Sequence, residues 1–393
     1  MNRLRRFSAE DNSVLTVENY KQFQYANIPK FFEFCINYFN NQFDSPVIQL
    51  QSIDIRKLPY YYLNTNFLLE YTCKVIDLQQ NETKTFFQVY IPELLYDHCF
   101  LLNKCFYLPS LYILDKPIII KKESIKLDSL FNPISIFFKK NIVTVMQHNI
   151  SLQYMINLFC KDEDYFEDAL NLCLYQEIVD GPNLYEKFKI VFNRDFESKE
   201  EIWNAFDRFF FDEYTRYVYY KCYNIDNFYD LFNIAVQKYF KSLSRDDDND
   251  LDFINLTKKR VLFIELLLEP IFKYVSRLIN NNKRRDVNYL NFGIDPQCIL
   301  KNFRLKLHSA QLHSGSNLIS GITSHQALQV SPGIKHPPSS IALLHETHFG
   351  RICPITVSSD EPGKKIAVVY GTELDEIGQF KFKKEENDAS NQC

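Results

Sequence analysis

Glycine is nearly absent from the first three quarters of this chain: Gly181 alone precedes Gly293, and the other eight of the nine glycines follow. Glycine opens backbone geometries that other residues resist, so the chain is expected to gather its special loops and turns after residue 293. The ten cysteines contain no Cys-x-x-Cys pair, and the closest spacing, Cys99 to Cys105, does not fit a zinc module. No signal peptide is visible, since the basic start Met1-Asn2-Arg3-Leu4-Arg5-Arg6 lacks a following apolar run, and the cysteines read as reduced, buried thiols of a cytoplasmic protein. Long apolar runs are missing too. The best candidate, Val261 to Ile279, is interrupted by Glu265, Glu269, Pro270, Lys273 and Arg277, so no membrane span is expected. A net charge of −4 supplies no bulk attraction to phosphate, which leaves nucleic-acid contact to a local basic surface. Neither a Gly-rich phosphate loop nor a nucleophile elbow occurs.

What the chain has in abundance is apolar and aromatic material: 46% of its 393 residues are hydrophobic, with 35 Phe and 25 Tyr. That is enough for sizeable cores in two or three domains. The heavy use of Phe, Tyr, Asn, Ile and Lys is what AT-rich codons generate. Residues 1–145 combine a helix near Asn19–Asn41 with β-branched or aromatic runs such as Phe86–Ile91 and Leu111–Ile120, an α+β pattern. Residues 146–285 read as helical, with apolar residues three and four apart over Phe166–Gln176, Lys199–Tyr214, Asp226–Phe240 and Leu256–Asn280. Ser198 followed by Glu201 predicts a capping box. The end of the chain, 379–393, is charged and is expected to be disordered.

Two clusters suggest metals and fit them poorly. Asp248, Asp250 and Asp252 alternate like a magnesium loop, yet Leu251 stands where the turn glycine belongs, so a solvated interhelix loop is expected. His345-Glu346-Thr347-His348 is one residue short of the i, i+4 histidine spacing of a zinc protease. His308, His313, His325 and His336 follow no spacing that enforces a tetrahedral site, and read as hydrogen-bonding or phosphate-contacting groups.

The stretch Leu343 to Ile355 reads Leu-Leu-His-Glu-Thr-His-Phe-Gly-Arg-Ile-Cys-Pro-Ile. It resembles the signature after the fork loop in the β-type subunit of multisubunit DNA-directed RNA polymerases, His-Pro-x-His-Tyr-Gly-Arg-x-Cys-Pro-Ile, through Gly350, Arg351, Cys353, Pro354 and Ile355. Upstream, Gln311-Leu312 and Asn317-Leu318-Ile319-Ser320-Gly321-Ile322-Thr323 are similar to that family's Gln-Leu and Asn-Pro-Leu-Ser-Glu-Ile-Thr. The resemblance covers 304–356. A looser one lies near Val89–Glu93 and Phe100–Asn103, similar to a strand pair early in such subunits.

The resemblance implies an α+β, multidomain fold. A protrusion-like α+β domain (1–145) would be interrupted by a mostly helical lobe-like domain (146–285). Residues 286–325 would return to the protrusion and cleft wall, and 326–378 would hold the fork loop and the start of the hybrid-binding region. It implies an N-terminal part of a split β-type subunit, as in giant bacteriophages, acting in the cytoplasm of an infected bacterial host. Partners would be the C-terminal β portion on a separate chain, β′-type chains, the DNA template, nascent RNA and a promoter-specificity factor. RNA synthesis would proceed by two-metal chemistry, with Mg2+ bound by a partner chain and no catalytic residue here. Arg304, Lys306, Gln311, Asn317, Thr323, His325, Gln326, Lys335, His336 and Arg351 would contact nucleic acid along the fork and cleft wall. Two departures weigh on those contacts. Ser324-His325-Gln326-Ala327 replaces the family's His-Lys-Arg-Arg, and Thr356 to Gly363 replaces Glu-Thr-Pro-Glu-Gly. The rival readings are a non-enzymatic phage scaffold, or a β-like fragment that regulates a host polymerase.

Overall fold

The computed structural model describes residues 28–43, 45–58, 68–95, 99–102, 105–109, 111–145, 148–159, 183–243, 255–262, 264–283, 293–300, 310–312, 327–329, 344–354, 365–369, 372–375 and 377–381. The fold is mixed α+β. Among the described residues no helix is long and apolar enough to cross a membrane.

Helix α1 (Ile28–Asn41) buries Ile28, Phe31, Phe32, Cys35, Ile36 and Phe39, the three-and-four spacing that aligns them on one face. That face lies on an antiparallel sheet of β1 (Ile48–Lys57), β2 (Leu68–Asp77) and β3 (Glu82–Pro92), where the Phe32 ring meets Phe87 at 4.8 Å and Tyr71 at 5.6 Å between centroids. Strands β4 (Leu94–Leu95), β5 (Cys99–Leu102) and β6 (Cys105–Pro109) join the later β14 (Ala310–Leu312) in a second sheet, ordered β14-β6-β5-β4. The Val89–Glu93 and Phe100–Asn103 segments therefore contribute strands to different sheets: β5 pairs with β4 and β6, not with β3.

The run expected as one strand over Leu111–Ile120 divides into β7 (Leu111–Asp115) and β8 (Ile118–Lys121), which enter different sheets. Pro117 sits at the break, where its missing N–H cannot extend a ladder. From β8 the chain runs through β9 (Ser124–Leu127), β10 (Ile134–Phe137), β11 (Ile142–Val145) and β12 (His148–Ser151), a five-stranded antiparallel meander. Helices α2 (Leu152–Phe159), α3 (Asn183–Phe192), α4 (Lys199–Phe210), α5 (Glu213–Tyr223) and α6 (Phe228–Leu243) follow. The predicted Phe166–Gln176 helix and the Asp246–Asp252 run lie outside the described residues.

The helix expected over Lys199–Tyr214 ends early because Asp212 starts a new one. Its carboxylate oxygens accept from the Thr215 N–H at 2.9 Å and the Thr215 hydroxyl at 2.5 Å. Ser198 caps α4 by accepting from the Glu201 N–H, but the reciprocal arm differs from a capping box: Glu201 Oε2 accepts from the Glu197 N–H. The helix expected over Leu256–Asn280 is instead a 3-10 turn (Leu256–Lys258), strand β13 (Lys259–Leu262) and helix α7 (Ile264–Lys283). Backbone pairing of β13 with β7 prevails there over helical periodicity. Strands β15 (Ala327–Gln329) and β16 (Lys365–Ala367) complete a sheet ordered β13-β7-β15-β16.

Packing gathers into two large apolar clusters. One draws on 28–113 and 256–380 with Phe131, and the other lies within 118–239. A buried polar latch joins them: the Tyr38 hydroxyl donates to the Phe209 carbonyl, Asn132 Nδ2 contacts the same hydroxyl, and the Tyr38 ring stacks on Phe131 at 4.1 Å. Asparagine takes over work that glycine usually does, since Asn81, Asn141, Asn193 and Asn224 adopt φ of +55°, +50°, +53° and +57°. Its short polar side chain tolerates the left-handed region better than most.

Asp212 carries a pH prediction. Burial pushes its carboxyl up to about 6, against the hydrogen bonds from Thr215. The folded chain therefore holds this proton more tightly than the unfolded chain. The group's contribution to stability is full below an unfolded pKa of about 4 and is lost as pH rises through the folded value. Asp212→Asn keeps an N-cap acceptor without a charge. It is expected to remove a stability change of at most about 3 kcal/mol between about pH 4 and pH 7. Urea unfolding of both proteins across that range would show parallel pH profiles if this account were wrong.

Candidate functional site

The motif from His345 to Pro354 is built against the sheet ordered β13-β7-β15-β16. His345 caps a 3-10 turn (Glu346–His348): its Nδ1 accepts from the Thr347 N–H at 3.2 Å, while its own N–H points to His348 Nδ1 at 3.5 Å. These histidines serve the turn, and among the described residues no three His, Cys, Asp or Glu side chains gather as a metal site. The turn is tied to the 3-10 turn at Leu256, whose N–H donates to Thr347 Oγ1 at 3.1 Å. Gly350 then takes φ +69°, a left-handed step that lets the chain double back, and the N–H groups of Arg351 and Ile352 both donate to the His348 carbonyl at 2.9 Å. Beyond it the motif runs alongside β16. Ile352 bridges Val368, Cys353 N–H donates to the Ala367 carbonyl at 2.8 Å, and Val369 N–H donates to the Arg351 carbonyl at 2.7 Å.

The result is a two-faced segment. His348 and Ile352 point inward and are buried, while Phe349 is 74% exposed and Leu344 51% exposed. The Arg351 guanidinium donates through Nε to the Lys381 carbonyl and through Nη1 to the Phe349 carbonyl, both at 3.2 Å, so part of its donor fork stabilises the turn and the following chain. That contact also places the start of the expected tail. Phe380 is buried and bridges Leu374, so the segment from Gln379 to Lys381 is folded, anchored by one ring among charges. Residues 382–393 lie outside the described residues.

Of the nucleic-acid contacts expected from sequence, Arg351 is placed in full and Gln311 by backbone, in β14 opposite Leu108. Arg304, Lys306, Asn317, Thr323, His325, Gln326, Lys335 and His336 lie outside the described residues, as does nearly all of the stretch expected to hold the fork loop, about Gln329 to Ser340.

No family model matches this chain, and no curated protein matches it either.

Behind the motif lies a feature that sequence reasoning missed. His348, Ile352 and Ile366 form one wall of a cavity of about 580 Å3, faced by residues of α5, β13 and α7. At its edge Arg260 is buried, with Nε donating to the Ile377 carbonyl at 2.8 Å, Nη2 to the Tyr214 hydroxyl at 3.3 Å, and Glu265 Oε1 at 3.6 Å. The Tyr214 hydroxyl in turn donates to Glu265 Oε1 at 2.5 Å. Burial and then the neighbouring Glu265 push the Tyr214 hydroxyl well above its ordinary range, so it stays a donor. Burial works against the Arg260 charge, but Tyr214 and Glu265 outweigh it and raise the guanidinium's pKa. In sequence Glu265 showed only as a charge breaking an apolar run. Its partners are 51 and 5 residues away, which no local pattern encodes.

Proposed function

We propose that this chain is the N-terminal part of a β-type subunit of a multisubunit DNA-directed RNA polymerase, acting in an infected bacterial cell and forming part of the cleft wall and fork. The observation that carries the reading is the run Gly350-Arg351-Ile352-Cys353-Pro354-Ile355 with its upstream companion from Gln311 to Thr323. The geometry is compatible with it. The motif is a tight turn pinned to a sheet, with one aromatic side chain left facing outward. Catalytic metal ions would be held by a β′-type chain, and this chain would contribute phosphate contacts and position the strands.

The test is affinity purification of the tagged chain from infected cells followed by mass spectrometry. The expected result is recovery of large chains carrying Asn-Ala-Asp-Phe-Asp-Gly-Asp, together with the polypeptide that completes the β-type subunit. Recovery with host polymerase subunits alone would favour a regulator, and recovery with neither would favour a scaffold; both outcomes reject the proposal. Phe349→Ala sharpens the test. A side chain this exposed contributes little to the fold, so thermal stability should change by no more than about 0.5 kcal/mol. Loss of an aromatic interface anchor costs about 1 kcal/mol or more, so recovery of partner chains should fall about fivefold.

A further inference from the structure

The cavity behind the motif has an apolar side, from Leu130, Phe131, Val218, Leu266 and Phe272 among others, charged side chains such as Lys126, Asp128 and Lys273 elsewhere in its lining, and a buried polar corner made by Tyr214, Arg260 and Glu265. In that corner the hydrogen bonding is incomplete. Glu265 is about nine-tenths buried, and while Oε1 accepts from Tyr214, its second oxygen, Oε2, has no hydrogen-bond partner among the described residues. A buried acceptor left without a donor is costly, and native interiors seldom keep one without a use for it. Arg260 already faces this carboxylate at 3.6 Å, so a second cation would put like charges in one buried corner, whereas a neutral N–H or O–H would complete the shell without adding charge.

We infer that this cavity is a binding site for an uncharged, mostly apolar small molecule that carries one hydrogen-bond donor, with the donor directed to Glu265 Oε2 and the apolar body held between α5, α7 and the β13-β7 face of the sheet. The volume falls within the range of small-molecule sites, and apolar side chains line the part nearest Glu265 while other charged groups line the rest. Oε2 is shielded as the side chain stands, and the terminal torsion of a glutamate is soft, so a turn of the carboxyl would present Oε2 to an entering donor. Because His348, Ile352 and Ile366 form part of the wall, an occupant would brace the motif turn from behind. The inference does not depend on the polymerase reading.

The experiment compares indole with benzofuran on the full chain, two rings of nearly the same size and shape in which a ring oxygen replaces the N–H donor. Methyl resonances of Ile113, Ile352 and Ile366, all at the cavity, are followed during titration. Indole is expected to shift these three and to bind about fivefold more tightly than benzofuran, the effect of one net hydrogen bond. Leu266→Trp, a filled rather than emptied wall position, is expected to abolish the indole-induced shifts while the rest of the spectrum stays native. Equal affinity for the two compounds overturns the role given to Glu265. Absence of shifts at the three methyls, or their survival in Leu266→Trp, overturns the site itself.

Discussion

Gly378→Ala is expected to lower the thermal unfolding midpoint by roughly 5 °C or more, which for a domain of this size corresponds to about 3 kcal/mol. Two effects combine at this position. Gly378 adopts φ +83°, where an L side chain is strained, and a Cβ there would stand 2.2 Å from the carbonyl oxygen of Val261. The clashing atom belongs to the backbone of β13, which cannot swing aside as a side-chain tip can. The same neighbours share a hydrogen bond, Val261 N–H to the Gly378 carbonyl at 2.8 Å, so relief of the clash would pull that bond apart and disturb the Arg260 contact to Ile377 as well. Gly350→Ala is the matched control. It has a similar φ of +69° but nothing among the described residues within 4 Å of the added carbon, so its cost is expected to be about 1 kcal/mol. Equal midpoints for the two variants would show that backbone strain alone matters at Gly378 and that the close approach to β13 is mistaken.

Phe206→Ala is expected to cost about 3–5 kcal/mol in urea unfolding, the range for emptying a buried aromatic site. Phe206 is fully buried, and its ring centre lies 5.1 Å from Phe159, 5.7 Å from Phe188, 5.0 Å from Phe192 and 5.1 Å from Phe228. Those rings come from α2, α3 and the start of α6, and Phe206 itself from α4, so one truncation loosens all four helices that meet there. Stiff rings on four helices cannot collapse together to fill the space, which places the expected loss toward the upper end of the range. Tyr220→Ala, in the same helical region but 54% exposed, should change stability by no more than about 0.5 kcal/mol. A loss below about 1 kcal/mol at Phe206 would mean that the cluster repacks, contrary to the reading of a close-packed aromatic core.

Elements with a strong local signature were legible in the sequence. The apolar face of α1, the Ser198 cap and the strand around Phe86–Ile91 follow from spacing and side-chain chemistry within a few residues. What escaped was decided at a distance. Lys259–Leu262 carries a helix-compatible pattern but forms β13 because β7, some 144 residues earlier, offers it a ladder. Phe380 looked like part of a solvated tail because one ring among lysines and glutamates gives no periodic signal, yet it finds a pocket beside Leu374. The abundant asparagine was read as a codon effect, although Asn81, Asn141, Asn193 and Asn224 occupy left-handed positions. At the candidate site, the motif from His345 to Pro354 was visible as sequence, but Arg351 proved to bond backbone carbonyls, and the Tyr214-Arg260-Glu265 corner required three separated elements to meet.

Strand β7 is an inner strand whose two neighbours are made long after it: β13 pairs Lys259 with Asp115, and β15 pairs Leu328 with Leu111. On a growing chain its ladder edges therefore stay open while more than a hundred further residues are synthesised, and open edges invite the wrong partner. The meander and helices that follow β7 can condense on their own core in that interval, which shortens the loop that must close before β13 arrives. A ribosome-associated chaperone that shelters apolar strands would be needed most during this interval, and pausing of translation near residue 260 would aggravate aggregation more than pausing near residue 120.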